Sequence, residues 1–231
     1  MPKKKDNRVI FLRNTIIGFV TAVVILVLGF GSYVTTSLSD EEITDASYRE
    51  VENPRPYRAG SPVDVVEFFS YTCIHCKNFD PVIEEWAEDQ GDAINFSRAP
   101  AMWSPIQTML GRTYLTLESA DALKGNHERI FRAIHDSRRQ FLTPEMVADY
   151  VDGRGITRDE FLDTYNSGSI NSATGRATRD QERYRISSTP SLVVGGRYVV
   201  NMDGGARNAL RVAAHLVEKM RNPEGSVAGG E

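Results

Sequence analysis

A nearly unbroken apolar, β-prone run, Val63-Asp-Val-Val-Glu-Phe-Phe69, is followed after Ser70-Tyr71-Thr72 by Cys73-Ile-His-Cys76, and a helical pattern begins there. The run predicts a buried central strand. The helical pattern sets Phe79, Val82, Ile83 and Trp86 on one side and Glu84, Glu85, Glu88 and Asp89 on the other. Pro81 falls inside it and is expected to kink the helix. After Gly91, Ala93-Ile-Asn-Phe-Ser97 reads as a second strand. Strand, helix, strand at this spacing predicts a βαβ unit with parallel strands.

From Met102 to Arg185 only helical signals are found. Ser104-Pro105 and Thr143-Pro144-Glu145 are N-cap starts with Pro at the first helical position. Thr157-Arg-Asp-Glu160 has capping-box spacing. Further helices are expected over Asn126–His135, with Ile130, Phe131 and Ile134 apolar, and over Ser169–Tyr184. β-rich character returns at Ser191-Leu-Val-Val194. Gly195-Gly196 then predicts a hairpin into Arg197-Tyr-Val-Val200. A terminal helix follows Gly204-Gly205, with Leu210, Ala213, Ala214 and Val217 apolar. The fold class is α/β: β-α-β, an all-helical insert, then β-β-α.

The N-terminus reads as an address. Ile16–Val34 holds 19 residues without a charge, about the ~20 that cross a ~30 Å hydrocarbon core as a helix. Before it, Lys3, Lys4, Lys5, Arg8 and Arg13 against Asp6 sum to +4, a balance that holds this end in the cytoplasm. The competing reading, a cleaved signal peptide, expects a shorter apolar region and a small-residue cleavage site, which GSYVTTSLSD does not supply. The segments expected are therefore a basic tail (1–13), a transmembrane signal anchor (14–34) and a juxtamembrane spacer (35–58). A domain split over 59–101 and 186–222 follows, with the helical insert at 102–185 and a loose Gly-rich tail at 223–231. With −4 overall, the chain beyond residue 13 sums to −8, a poor match for nucleic acid.

The chain has two cysteines, and their spacing excludes a stabilising framework, because so short a ring removes almost no chain entropy. Zinc would need two more ligands, and His127, His135 and His215 are not paired at ligand spacing. Those three read as ordinary helix-surface histidines, and no metal or cofactor is expected. Redox chemistry is the stronger reading. At a strand–helix junction Cys73 meets unpaired backbone N–H groups and the positive end of the helix dipole, which favour thiolate. Cys76, one turn inward, reads as the buried resolving thiol. His75 can direct a hydrogen bond or positive charge at Cys73, which would favour the reduced form and make the disulfide a stronger oxidant. Glu67 is either a buried acid of raised pKa that relays the proton of Cys76 or a partly exposed strand-end glutamate. The Thr189-Pro190 bond, opening the third strand, has trans as its default.

Glu67-Phe-Phe-Ser-Tyr-Thr-Cys-Ile-His-Cys76 resembles the active-site segment of DsbA-type oxidoreductases, exported enzymes with a thioredoxin fold. The helical insert and Thr189-Pro190-Ser-Leu-Val-Val-Gly-Gly-Arg-Tyr are similar to theirs as well, so the likeness spans Arg58–Arg221. The resemblance implies Cys73 as nucleophile, Cys76 as resolving thiol, His75 as thiolate stabiliser and Glu67 as buried acid. Ile74, Thr189 and a cis-Pro190 would form the wall where substrate backbone docks. It also implies reduced, cysteine-containing polypeptides as substrates and a quinone-linked, DsbB-like membrane partner for reoxidation. Two positions depart from the pattern: Ile74-His75 replaces Pro-His, and Thr189 replaces the Val of the best-known oxidants.

The resulting expectation is a monomeric dithiol oxidase, single-pass in a bacterial inner membrane, with its catalytic domain periplasmic. A disulfide isomerase or reductase on the same fold is the first alternative. Thr189 favours it, whereas the short 35–58 spacer cannot supply the N-terminal dimerisation domain of periplasmic isomerases. A non-catalytic, membrane-held chaperone is the second, disfavoured because pure binding does not need both sulfurs.

Overall fold

The structure is a computed structural model that describes residues 15–21, 23, 24, 26, 43 and 46–222. The chain divides into a unit ending at Ile43 and one beginning at Thr44. In the first, residues 15–21 are helical, and Thr21 Oγ1 donates to the Ile17 carbonyl at 2.7 Å. Among the described residues no helix is long and apolar enough to cross a membrane. The proposed anchor at 14–34 lies about half outside the described residues, and the 1–13 and 223–231 tails lie wholly outside them.

The second unit is built on five strands: β1 (Tyr48–Glu50), β2 (Val63–Phe69), β3 (Ile94–Pro100), β4 (Ser191–Val194) and β5 (Tyr198–Val200). They lie in the order β1-β5-β4-β2-β3. β2 pairs parallel with β3, Val63 opposite Ile94, and antiparallel with β4, Val66 opposite Val193. β5 is antiparallel to both β4 and β1.

Helix α1 (Ile74–Gln90) crosses between β2 and β3. Five helices are inserted before β4: α2 (Pro105–Ser119), α3 (His127–His135), α4 (Pro144–Val151), α5 (Arg158–Tyr165) and α6 (Gly168–Arg183). α7 (Gly205–Arg221) ends the unit. This is a thioredoxin-like sheet with a helical insert, the architecture that the sequence pattern predicts.

Local chemistry explains most boundaries. Ser104 and Thr143 cap α2 and α4 ahead of a first-turn proline, and the Thr157–Glu160 capping box is reciprocal. Gly195 and Gly196 both adopt φ of +60°, the left-handed pair that a two-residue hairpin requires. α7 buries Leu210, Val212, Ala213, Leu216 and Val217 along one stripe.

β2 is buried on both faces. Phe69 joins a cluster with Tyr71, Cys76, Tyr114, Ile130 and Phe131 that runs into the insert. Phe68 faces the other way, with Val193, Val199, Tyr184 and Ile186. Each such ring taken out of water stabilises the fold by about 2 kcal/mol.

Two expectations need correction. The 35–58 spacer is not wholly a linker: Tyr48–Glu50 adds an edge strand to β5 through main-chain hydrogen bonds. Val82 does not share the buried face of α1 with Phe79 and Ile83; it is 40% exposed, and Asp80 is buried instead. Asp80 is drawn inward by partners on β3 and α3, described next.

Candidate active site

The turn Ser70-Tyr71-Thr72 carries the chain from β2 to Cys73. Cys73 is the N-cap of α1, in extended conformation, and its sulfur accepts the backbone N–H of Cys76 at 3.3 Å. A cysteine thus occupies the place where Ser, Thr, Asp or Asn usually satisfies the orphan donors of a helix. No acidic side chain lies in that first turn to compete for the positive helix end.

Both cysteines are free thiols, Cys73 partly exposed and Cys76 fully buried. Their acidities diverge. Cys73 is held down to about 5 by hydrogen bonds from the Cys76 thiol, the Thr189 side chain and the backbone N–H groups of Cys76 and His75, with burial opposing. Burial, and then the neighbouring Cys73 sulfur, push Cys76 far up. One sulfur is therefore a thiolate near neutrality while the other keeps its proton.

Thr189-Pro190 is a cis peptide bond, as the family resemblance implies and against the trans default of the residues alone. The Thr189 carbonyl lies 3.2 Å from Cys73 Sγ, which donates to it when the sulfur is protonated. Beside this contact lies a cleft of about 380 Å³ lined by His75, Phe79, Ser188, Thr189, Pro190 and Met202. His75 lines this cleft, and it is its backbone N–H that acts on the Cys73 sulfur. Ile74, 45% exposed, stands beside Cys73 at the helix start.

Glu67 is 1% exposed, which removes the strand-end alternative. Burial raises its carboxyl to about 7 even though Arg98 pulls the other way. Arg98 lies on β3 in register opposite Glu67, with Nε 3.0 Å from Glu67 Oε2. Its Nη2 reaches Asp80 Oδ1 at 2.7 Å and Glu84 Oε1 at 3.2 Å.

Arg98 and Asp80 were not found by sequence reasoning. The available signal was a charged residue at a strand position and another between Phe79 and Ile83. His127 also departs from expectation. It is buried rather than on a helix surface, with Nε2 3.1 Å from Asp80 Oδ1 and Nδ1 2.8 Å from the Tyr71 hydroxyl. His135 binds the Tyr71 carbonyl through Nε2 at 2.9 Å, so it too has a partner beyond its own helix. His215 is exposed, as read. Among the described residues no group of three or more His, Cys, Asp or Glu is placed to hold a metal ion.

This arrangement suits thiol–disulfide exchange: an accessible stabilised thiolate, a buried partner thiol and a backbone wall beside them. Comparison with known proteins agrees. The DsbA-like thioredoxin domain family matches residues 64–214. The thiol:disulfide interchange protein DsbA of Pseudomonas aeruginosa is 33% identical over 212 residues, 91% of this chain and 98% of that protein. That of Azotobacter vinelandii is 35% identical over 191 residues, 81% of this chain and 89% of that one. The crystal structure of Pseudomonas aeruginosa DsbA superposes with a TM-score of 0.73 at 34% identity, covering 80% of this chain and 97% of that one. The oxidoreductase DsbA from Xylella fastidiosa gives 0.73 at 28% identity, over 79% and 99%. This chain belongs to the DsbA-like thioredoxin domain family and is a protein thiol-disulfide oxidoreductase.

Proposed function

We propose that the chain is a dithiol oxidase that transfers its Cys73–Cys76 disulfide to reduced polypeptides outside the cytoplasm. The observation that carries this reading is the position of Cys73, capping α1 with its sulfur on the Cys76 N–H and its acidity held near 5. A thiolate so stabilised favours the dithiol form, which makes the corresponding disulfide an oxidant and Cys73 a good leaving group.

A substrate thiolate attacks the sulfur of Cys73. The Cys73–Cys76 bond breaks, its electron pair stays on Cys76, and Cys76 takes up a proton. Glu67, a buried acid that titrates around pH 7, is the group we assign to that proton, with its charge balanced by Arg98. The second thiolate of the substrate then attacks the substrate sulfur of the mixed disulfide, so that the substrate disulfide forms, the bond to Cys73 breaks and Cys73 leaves as thiolate. Ile74, Thr189 and Pro190 hold the substrate backbone beside Cys73, and His75 lines the same cleft.

Reoxidation falls to a quinone-linked, DsbB-like membrane protein. The uncharged run Ile16–Val34 behind a basic tail supports a single-pass signal anchor at 14–34 in a bacterial inner membrane, with the N-terminus cytoplasmic and the catalytic unit of a monomer periplasmic. On this reading, residues 59–101 and 186–222 form the thioredoxin-fold domain around the insert at 102–185. Thr189 favours one second reading, an isomerase or reductase on the same scaffold.

The test is single-turnover mixing of the oxidised protein with a reduced two-cysteine peptide. The peptide disulfide should form in step with loss of the enzyme disulfide, and Cys73→Ser should abolish transfer. Transfer that survives Cys73→Ser contradicts the site assignment.

A further inference from the structure

The turn Ser70-Tyr71-Thr72 positions Cys73, and it is gripped from outside its own sheet. Within the turn, the Cys73 N–H donates to the Ser70 carbonyl at 3.0 Å, and the Ser70 and Thr72 hydroxyls lie 2.9 Å apart. The remaining holds come from the insert. Gln107 on α2 reaches Thr72 Oγ1 at 3.5 Å. His135 on α3 donates from Nε2 to the Tyr71 carbonyl at 2.9 Å. One end of the same helix supplies His127, whose Nδ1 lies 2.8 Å from the Tyr71 hydroxyl.

The His127 tautomer follows from its surroundings. Asp80 accepts at Nε2, so Nε2 carries the proton and Nδ1 accepts from Tyr71. Asp80 is itself fixed by Arg98. The Tyr71 ring packs edge-on against Phe69 and Phe131, at centroid distances of 5.2 and 5.0 Å. Both its polar end and its backbone are therefore held by one inserted helix, two residues ahead of the nucleophile.

We propose that the insert acts as a clamp on this turn. Its His127 and the Tyr71 it holds are positioning residues that set the Cys73 sulfur against the Cys76 N–H, and so set how strongly the disulfide oxidises. The proposal rests on Cys73 and Cys76 being the redox pair. The physical reason is the weakness of the hydrogen bond being protected: at 3.3 Å to sulfur, a small rotation of the turn loses it. In the oxidised form the sulfur–sulfur bond itself closes the turn. Loosening the clamp therefore weighs mainly on the dithiol form, and the disulfide becomes a weaker oxidant.

The exchange to measure is enzyme disulfide plus two glutathione thiols giving enzyme dithiol plus glutathione disulfide. Tyr71→Phe keeps the ring and removes the hydroxyl that His127 accepts. It should shift this equilibrium about threefold to tenfold toward the enzyme disulfide, the effect of one buried hydrogen bond. The ultraviolet midpoint of the Cys73 thiolate should rise with it. A Tyr71→Phe protein that melts earlier yet keeps both the equilibrium and the midpoint overturns the clamp, leaving a packing contact only. Should that variant not fold, His135→Phe keeps a ring against Phe131 and removes the donor to Tyr71. The same direction of shift is expected, and its absence overturns the proposal. A wild-type protein that does not exchange with glutathione at all overturns the redox reading beneath it.

Discussion

The sulfur of Cys73 lies 3.2 Å from the carbonyl oxygen of Thr189, a residue 116 positions further along the chain. Nucleophile and docking backbone are brought together by adjacent strands, β2 leading into Cys73 and β4 following Pro190. A substrate that docks on Thr189 is held where its sulfur must react.

The acidity of Cys73 gives the first prediction. Its folded value, about 5, lies below that of a free thiol, about 8.5. The thiolate therefore stabilises the reduced fold fully above the unfolded value, and this contribution fades as pH falls toward 5. Iodoacetamide alkylation of the reduced protein should show a midpoint near 5. Thr189→Val, which removes one of the stabilising hydrogen bonds at nearly constant shape, should move that midpoint upward.

Glu67 should act in the opposite sense. Its folded pKa of about 7 lies above that of an exposed glutamate, about 4.3. Between these values the folded state binds more protons than the unfolded one, so the Glu67 contribution falls as pH rises from about 4.3 to 7. Glu67→Gln should flatten this part of the stability profile, measured as melting temperature against pH. An unchanged profile would mean that Glu67 is ionised throughout.

Arg98 faces three carboxylates, of which Glu67 and Asp80 are buried. Removing one member of a buried ionic group leaves the others uncompensated, at a cost of about 3–5 kcal/mol. Arg98→Met should lose stability of that order in urea unfolding at pH 7.5. The loss should shrink near pH 4, below the raised pKa of Glu67, where that carboxyl is neutral and no longer needs the guanidinium.

The N-terminal proposal has its own check. The full chain should stay with membranes through a carbonate wash, whereas a protein starting at residue 35 should not. Recovery in the wash of a protein shortened at its N-terminus would favour a cleaved signal.

The strands and capped helices were legible because their signals are local. Val63–Phe69 is apolar except at Asp64 and Glu67, and Ser104, Thr143 and Thr157 cap through their own side chains. β1 was not legible. Tyr48-Arg49-Glu50 has two exposed charged side chains and only Tyr48 packs on the neighbouring strand, against Tyr198, which is too little for a side-chain pattern. The cysteine pair stood out, and so did Glu67, as a charge within an apolar run. Arg98, Asp80 and His127 did not, since each looks like a surface residue until its distant partner is known. His127 sits beside Glu128 and Arg129, and its burial follows from its hydrogen bonds to Asp80 and Tyr71 and from the rings of Phe69, Tyr114 and Phe131 around it.

The direction of electron flow is the central claim, and the reduction potential of the Cys73–Cys76 pair against glutathione tests it most directly. An oxidase of the kind described should be more oxidising than disulfide isomerases, above about −180 mV. A potential near that of thioredoxin, about −270 mV, would contradict the account and identify a reductase.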